Sequence, residues 1–276
     1  MSTVSAPLPG AIISNEILIS TFRCSTQGGM RRSHTTNTLV IISNHVKSVY
    51  DDRWIGDIFH YTGMGQYGHQ DLRFAQNKTL NESPISKVKI HLFEVFKARQ
   101  YTYIGEVFLV DNAYQEQQYD AHKKLRNVWV FPLQLSTGNA PQIPVSSLLS
   151  AFKEKEKRVK KFSDAEIEDN ARRTQTVSVD RRHTDAPYYL RSVWVAEFAK
   201  RRSKGNCELC TKPAPFMRKN GEPYLETHHI NWLANGGADS IENTVALCPN
   251  CHRRMHILNH LKDIKTLQKK TTPQKN

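Results

Sequence analysis

Four short stretches in the first half concentrate branched and aromatic residues, partly in alternation: NTLVIIS (37–43), VKIHLFEVF (88–96), YTYIGEVFLV (101–110) and NVWVFPL (127–133). This pattern predicts strands, with Val88, Ile90 and Leu92 on one face of the second. Glycine-rich loops between several of them suit a compact barrel or curved sheet. Near Pro141 and Pro144 the pattern changes. Residues 146–173 combine strong helix formers and alternating charge with few apolar anchors, which predicts a solvent-exposed helical linker; a basic face that tracks phosphates is the alternative. Beyond it, Leu190, Val193, Trp194 and Phe198 fall at helical spacing, with Asp185 as the expected N-cap and Gly205 as the stop. There is no internal repeat.

A chain of 276 residues has room for two domains, each with its own core. The formal charge of +13 sharpens that division. Residues 1–150 carry 14 Lys and Arg against 11 Asp and Glu, and residues 151–276 carry 25 against 15. A basic second half points to a polyanionic partner, since Lys and Arg gain affinity by displacing counterions from phosphates. No apolar run reaches the 18 residues of a membrane span, and the N-terminus lacks a basic stretch followed by an apolar core. The expectation is a cytoplasmic protein with no membrane partner.

Four of the five cysteines form two Cys-x-x-Cys pairs, Cys207 with Cys210 and Cys248 with Cys251. In a reducing compartment this favours zinc over disulfides, and four thiolates match the closed tetrahedral site of structural Zn²⁺. Cys24 is left over and reads as a small core residue. The 37 residues between the pairs exceed an ordinary zinc ribbon. A closed four-thiol site has no vacancy for His252 and His256, which lie one turn apart on a helix expected to begin near Pro249, so they need a different ion. Upstream, His228 and His229 are adjacent on an expected strand. Neighbours on a pleat diverge, so one of the two can join that ion while the other stays free as a base.

The run YLETHHINWLANGGADSIENTVALCPNCHRRMH (224–256) resembles the HNH nuclease motif, with His229, Asn243 and His252 as its letters and the paired cysteines as the zinc staple. Joined to SKGNCELCTKPAPFMRKNGEPYLETHHI (203–230), it is similar to the nuclease domain of McrA-type enzymes, which restrict modified DNA; the likeness spans about residues 185–258. The resemblance, which extends to the nuclease colicins, implies His228, His252 and His256 as ligands of a catalytic divalent metal and His229 as general base. It also implies Asn243 as the residue that holds the loop and orients the base or phosphate. Three imidazoles leave a coordination position open for a phosphate oxygen. With His228 where some families have Asp, Mn²⁺, Co²⁺, Ni²⁺ or Zn²⁺ is as acceptable as Mg²⁺.

In the first half, HYTGMGQ (60–66) followed by QNKTL (76–80) resembles the SRA domain, a β-rich fold that flips a modified cytosine out of duplex DNA. That resemblance implies a base pocket of Tyr50, Asp52, Tyr61 and Thr62; the alignment needs a one-residue deletion before Gly56, which bears most on Tyr50. Two aromatic rings can sandwich an extruded base, and a carboxylate can accept from the cytosine amino group.

These readings combine into an α+β chain. An N-terminal SRA-like (PUA-like) barrel is expected over 1–145, a charged helical linker over 146–184, and a ββα-metal HNH domain with a Cys₄ zinc site over 185–276. The expected function is cleavage of double-stranded DNA containing 5-methylcytosine or 5-hydroxymethylcytosine, in restriction of foreign DNA by a bacterial protein, with a homodimer cutting both strands. The alternatives are an HNH nickase or repair nuclease indifferent to modification, and a methyl-DNA binding protein that does not cut.

Overall fold

The computed structural model describes residues 4–48, 50–175 and 191–272. The chain divides into two compact units, with the boundary after Phe152.

The first unit contains strands β1 (Ile12–Ile13), β2 (Met30–Ser33), β3 (Thr38–Asn44), β4 (Arg53–Ile55), β5 (Ile58–Thr62), β6 (Lys89–Lys97), β7 (Gln100–Leu109), β8 (Tyr114–Tyr119) and β9 (Leu125–Leu135), with helices α1 (Asn15–Phe22), α2 (Ala75–Asn81) and α3 (Ser83–Ser86). All nine strands join one sheet of order β2-β3-β6-β7-β9-β5-β4, with β1 added to β7 and β8 to β9. The four expected strands are β3, β6, β7 and β9. No pairing between β2 and β4 joins the two ends of this order among the described residues. On β9, Val130 pairs with Tyr114 of β8 and with Thr62 of β5, while Leu133 pairs with Leu109 of β7 and Phe59 of β5. One edge of this long strand therefore takes two partners in succession.

Alternation is weak in β6 because the strand is buried on both faces: Ile90, His91, Leu92, Phe93, Glu94, Val95 and Phe96 are all buried. Helix α1, which the apolar pattern does not announce, begins at Ser14, whose side chain accepts from Ile17 N, and buries Leu18 and Phe22 one turn apart. These two pack with Cys24, Val40, Ile42, Phe93, Val95 and Tyr103, which gives Cys24 the core place expected of it.

Helix α4 (Val145–Val159) contains the division. The second unit continues with α5 (Asp164–Thr174), α6 (Val193–Arg202), β10 (Glu226–His229), a 3₁₀ turn (Leu233–Asn235), β11 (Thr244–Leu247), α7 (Pro249–Ile257) and α8 (Leu261–Thr271). The expectation of a solvent-exposed helical linker is corrected over α5. Ser163 opens α5 with a reciprocal capping box to Glu166, and Ile167 and Ala171 are fully buried. Ala171 packs with Val195 of α6 and with Ile241. Arg201 of α6 donates to the carbonyls of Lys160 and Phe162 and to Asp164, so the junction of α4 and α5 is tied to α6. Two apolar anchors one turn apart suffice where the charged faces are paired.

Among the described residues α6 begins at Val193 with Ser192 as its cap; the expected cap Asp185 and Leu190 lie outside them. The helix ends three residues before Gly205, which takes a φ of 78°. Strands β10 and β11 pair antiparallel, with His228 opposite Val245 and His229 opposite Thr244. Their core joins Leu225, Ile230, Val245, Ala246 and Leu247 to Cys207, Cys251, Met255 and Leu267. No helix among the described residues is long and apolar enough to cross a membrane.

Candidate functional site

Cys207, Cys210, Cys248 and Cys251 converge, their sulfurs all within 4.8 Å of one another. Bonds of about 2.3 Å to a tetrahedral Zn²⁺ put sulfurs about 3.8 Å apart, so the cluster has the right size and chemistry. Cys248 is the N-cap of α7, Pro249 occupies its first turn, and Cys251 follows within that turn. The thiol cluster thereby anchors the start of the helix that carries His252 and His256. Buried Glu208 between the first two cysteines forms a two-point ion pair with Arg202 and accepts from Ala246 N at 2.7 Å. Arg202 also donates to the carbonyls of Ile241 and Thr244, both at 2.7 Å. This buried network, unseen in the sequence, joins α6 to β11.

His228, His252 and His256 form a second cluster, with one ligand atom of each within 4.8 Å of the others. The Nε2 atoms of His252 and His256 are 3.1 Å apart, close to the roughly 3.4 Å expected of two nitrogens on one tetrahedral ion. Both ring nitrogens of His228 are buried with no hydrogen-bond partner, an arrangement that costs free energy unless an ion completes it. Burial, then the neighbouring His252 and His256, push the His228 imidazole down to about 3, so it stays neutral and able to ligate. These residues fit a divalent metal. His252 Nδ1 lies 2.6 Å from Glu226 Oε2, and an acceptor-only carboxylate puts the proton on Nδ1 and leaves the Nε2 lone pair facing His256. Burial raises the Glu226 carboxyl, but bonds from His252 and from the Tyr224 hydroxyl at 3.0 Å outweigh it and hold the group below its ordinary range.

His229 turns away from this cluster, as neighbours on a strand must. Its Nε2 lies 2.9 Å from Oδ1 of Asp239, which is buried and also accepts from Ser192 N. Nε2 therefore carries the proton, and Nδ1 keeps its lone pair. Asn243 spends all its side-chain bonding on the 231–238 loop: Oδ1 accepts from Asn231 N at 2.8 Å, and Nδ2 donates to the carbonyls of Asn231 and Ala238. It holds the loop, leaving no donor for a phosphate. The same loop needs Gly237, where a Cβ would sit 2.0 Å from Asn231 O.

In the first unit, Thr62 N donates to Asp52 Oδ1 at 2.8 Å, and the Thr62 hydroxyl accepts from Gln118. Tyr61, on the opposite face of β5 from Thr62, is buried and donates its hydroxyl to Gly29 O at 2.9 Å. Tyr50 is half-buried and donates to Gly65 O at 3.0 Å. Burial, and after it the charge of Asp52, raises the Tyr61 hydroxyl well above its ordinary range; burial also raises Tyr50, with a smaller push from Asp52. Asp52 thus lies in electrostatic reach of both rings. The paired motifs 60–66 and 76–80 have a packing reason: Asn77, fully buried, accepts from Met64 N and donates to Met64 O and Asp71 O. A Cβ on Gly63 would come within 2.7 Å of Asn77 Oδ1, so that position requires glycine.

Asp239, Glu226, Tyr224 and the Arg202–Glu208 pair were not legible as site residues. Glu226 alone left a signal, lying two residues before His228 and so on the same strand face.

A two-stranded ribbon followed by a helix, with histidines facing each other between them and thiols bracing the helix start, defines a ββα-metal nuclease domain behind a β-rich unit. Residues 10–157, more than half of the chain, match the ScoMcrA-like SRA domain family, and residues 207–257 match the HNH endonuclease family. The chain belongs to the ScoMcrA-like SRA domain family and carries an HNH domain behind it. The type IV methyl-directed restriction enzyme EcoKMcrA of Escherichia coli (strain K12) is 49% identical over 76 residues, which are 28% of this chain and 27% of that protein. The type IV phosphorothioation-dependent restriction endonuclease ScoMcrA shares the fold at a TM-score of 0.53 and 20% identity, over 96% of this chain and 63% of that one. The modification-dependent TagI restriction endonuclease aligns at 0.37 and 21% identity, over 92% of this chain and 79% of that one. The chain thus spans about a quarter of its curated relative and less than two thirds of ScoMcrA.

Proposed function

We propose that this protein is a modification-dependent DNA endonuclease that binds duplexes containing 5-methylcytosine or 5-hydroxymethylcytosine and hydrolyses a phosphodiester nearby. The observation that carries the reading is the presence on one chain of an SRA domain and a three-histidine cluster with a separately oriented fourth histidine.

In the first unit, Asp52 accepts from the amino group of an extruded cytosine, Tyr50 and Tyr61 flank the base, and Thr62 keeps Asp52 in place. In the second, Cys207, Cys210, Cys248 and Cys251 hold structural Zn²⁺, and His228, His252 and His256 hold the catalytic divalent metal. A metal held there would stabilise the negative charge on the phosphate and on the leaving 3′-oxygen. His229 Nδ1 takes the proton of the attacking water, Asp239 fixes the tautomer that makes this possible, and Glu226 aims the His252 lone pair. Asn243 keeps the loop beside His229 in shape. Two copies, one per strand, account for a double-strand break, and restriction of modified DNA in a bacterial cytoplasm is the role that follows.

The test is a mixture of modified and unmodified duplexes, resolved for binding and for cutting, with wild-type protein and His229→Ala. Wild type should bind and cut the modified duplex in preference, and the variant should keep the binding and lose the cutting. Equal cutting of both duplexes would make this a nuclease indifferent to modification, and binding without cutting by wild type would make it a reader alone.

A further inference from the structure

Arg126 of β9 is 2% exposed and stands among the largest fully buried side chains. Its Nη1 donates to the carbonyls of Gly65 and Gly68, in the loop that follows Thr62. Its Nε and Nη2 are buried and have no acceptor. These two donors share one edge of the planar guanidinium, the edge that receives a pair of oxygens side by side. No carboxylate pairs with it among the described residues. Asp120, whose carboxyl feels the charge of Arg126, has its oxygens bonded to the backbone N–H groups of Gly68, His122 and Lys124. The ring of Tyr50 lies against the guanidinium, 5.8 Å from its carbon, and the Tyr50 hydroxyl shares the Gly65 carbonyl with Nη1.

A permanent cation buried with no carboxylate bonded to it, and with one bidentate edge idle, is unfavourable in the protein alone. Residues 1–150 are nearly balanced in charge, 14 Lys and Arg against 11 Asp and Glu, so this unit has little general attraction for DNA and depends on individually placed cations.

We propose that Arg126 is a DNA-binding residue of the first unit: its free Nε and Nη2 edge takes the two non-bridging oxygens of a phosphodiester flanking the modified nucleotide, after the Tyr50 ring turns away to meet the base. The proposal rests on the reading of this unit as a modified-base reader. A phosphodiester is favoured over the O2 and N3 edge of cytosine because it brings a bonded negative charge as well as paired acceptors.

The test uses the wild-type protein and 5-methylcytosine duplexes carrying one methylphosphonate, which replaces a charged oxygen by methyl. The substitution is placed 5′ of the modified nucleotide, 3′ of it, or several base pairs away. One flanking position should weaken binding about 10- to 100-fold and the distant one far less. In Arg126→Gln, binding to the native duplex should fall by a similar factor, and the methylphosphonate at that position should then cost nothing more. Indifference of wild type to both flanking substitutions overturns the proposal, whether or not the variant folds. Equal loss by the variant on native and substituted duplexes also overturns it and moves the contact to the base edge. If wild type fails to prefer 5-methylcytosine over cytosine, the reader assignment falls and this proposal with it; preference combined with indifference to methylphosphonate removes Arg126 alone.

Discussion

Asp239 Oδ1 lies 2.9 Å from His229 Nε2, and both side chains are buried. A carboxylate in that position dictates which nitrogen carries the proton, and so which one can act as a base. Asp239→Asn presents an amide that can donate as well as accept, and removes the charge that stabilises the protonated imidazole. Its turnover should fall by about 10²- to 10⁴-fold, with DNA binding and metal content unchanged. Turnover within a few-fold of wild type would place the base elsewhere.

His228 carries two buried nitrogens without partners. Each is a cost of about 1–3 kcal/mol, and a bound ion removes that of the nitrogen it meets. With zinc in the thiol site and no other metal added, His228→Leu should melt above wild type. Added Mn²⁺ should raise the melting temperature of wild type and leave the variant where it was. A rise of the same size in both would exclude His228 as a ligand.

Cys248 is at once the cap of α7 and one of the four converging thiols. In Cys248→Ser the bound zinc should drop by one per chain and the second unit should lose its cooperative melting, because zinc binding there is folding free energy. The wild-type zinc content or an unchanged melt would contradict a four-thiol structural site.

The two side-chain clusters were legible in the sequence because coordination chemistry imposes spacing: two Cys-x-x-Cys pairs and a histidine pair one helical turn apart leave little freedom. Their supports were not. Asp239 and Asn243 act through a loop whose path depends on Gly237 and on contacts with Ser192, forty-odd residues away in the chain. Strands β3, β6, β7 and β9 were legible as dense branched runs, whereas α1 was not, because Ile17, Leu18 and Ile19 are consecutive and only Leu18 and Phe22, one turn apart, are buried. Helix α5 reads as an exposed linker for the opposite reason: its charges dominate, and its hold on the unit rests on Ile167, Ala171 and the ion pair of Asp164 with Arg201.

Asp52 sets a pH dependence of known sign. Burial raises its carboxyl from 3.8 to about 6, against bonds from Thr62 and Ser43. The folded state therefore holds the proton more tightly than the unfolded one. The contribution to stability is full below pH 3.8, is lost as pH rises through 6, and leaves a cost on the order of 3 kcal/mol above it. Asp52→Asn should gain stability relative to wild type as pH rises from 4 to 7, while losing preference for modified DNA. A stability difference that stays flat with pH would contradict the buried carboxylate.

In the proposed function, the first unit chooses the DNA that the second unit cuts. The measurement that tests it most directly is the initial cleavage rate of wild-type protein on duplexes identical but for one cytosine position carrying cytosine, 5-methylcytosine or 5-hydroxymethylcytosine, with Mg²⁺, Mn²⁺, Co²⁺ or Ni²⁺ supplied in turn. Cutting should be confined to modified duplexes, with whichever ions the three imidazoles accept. Equal rates on all three duplexes would contradict it.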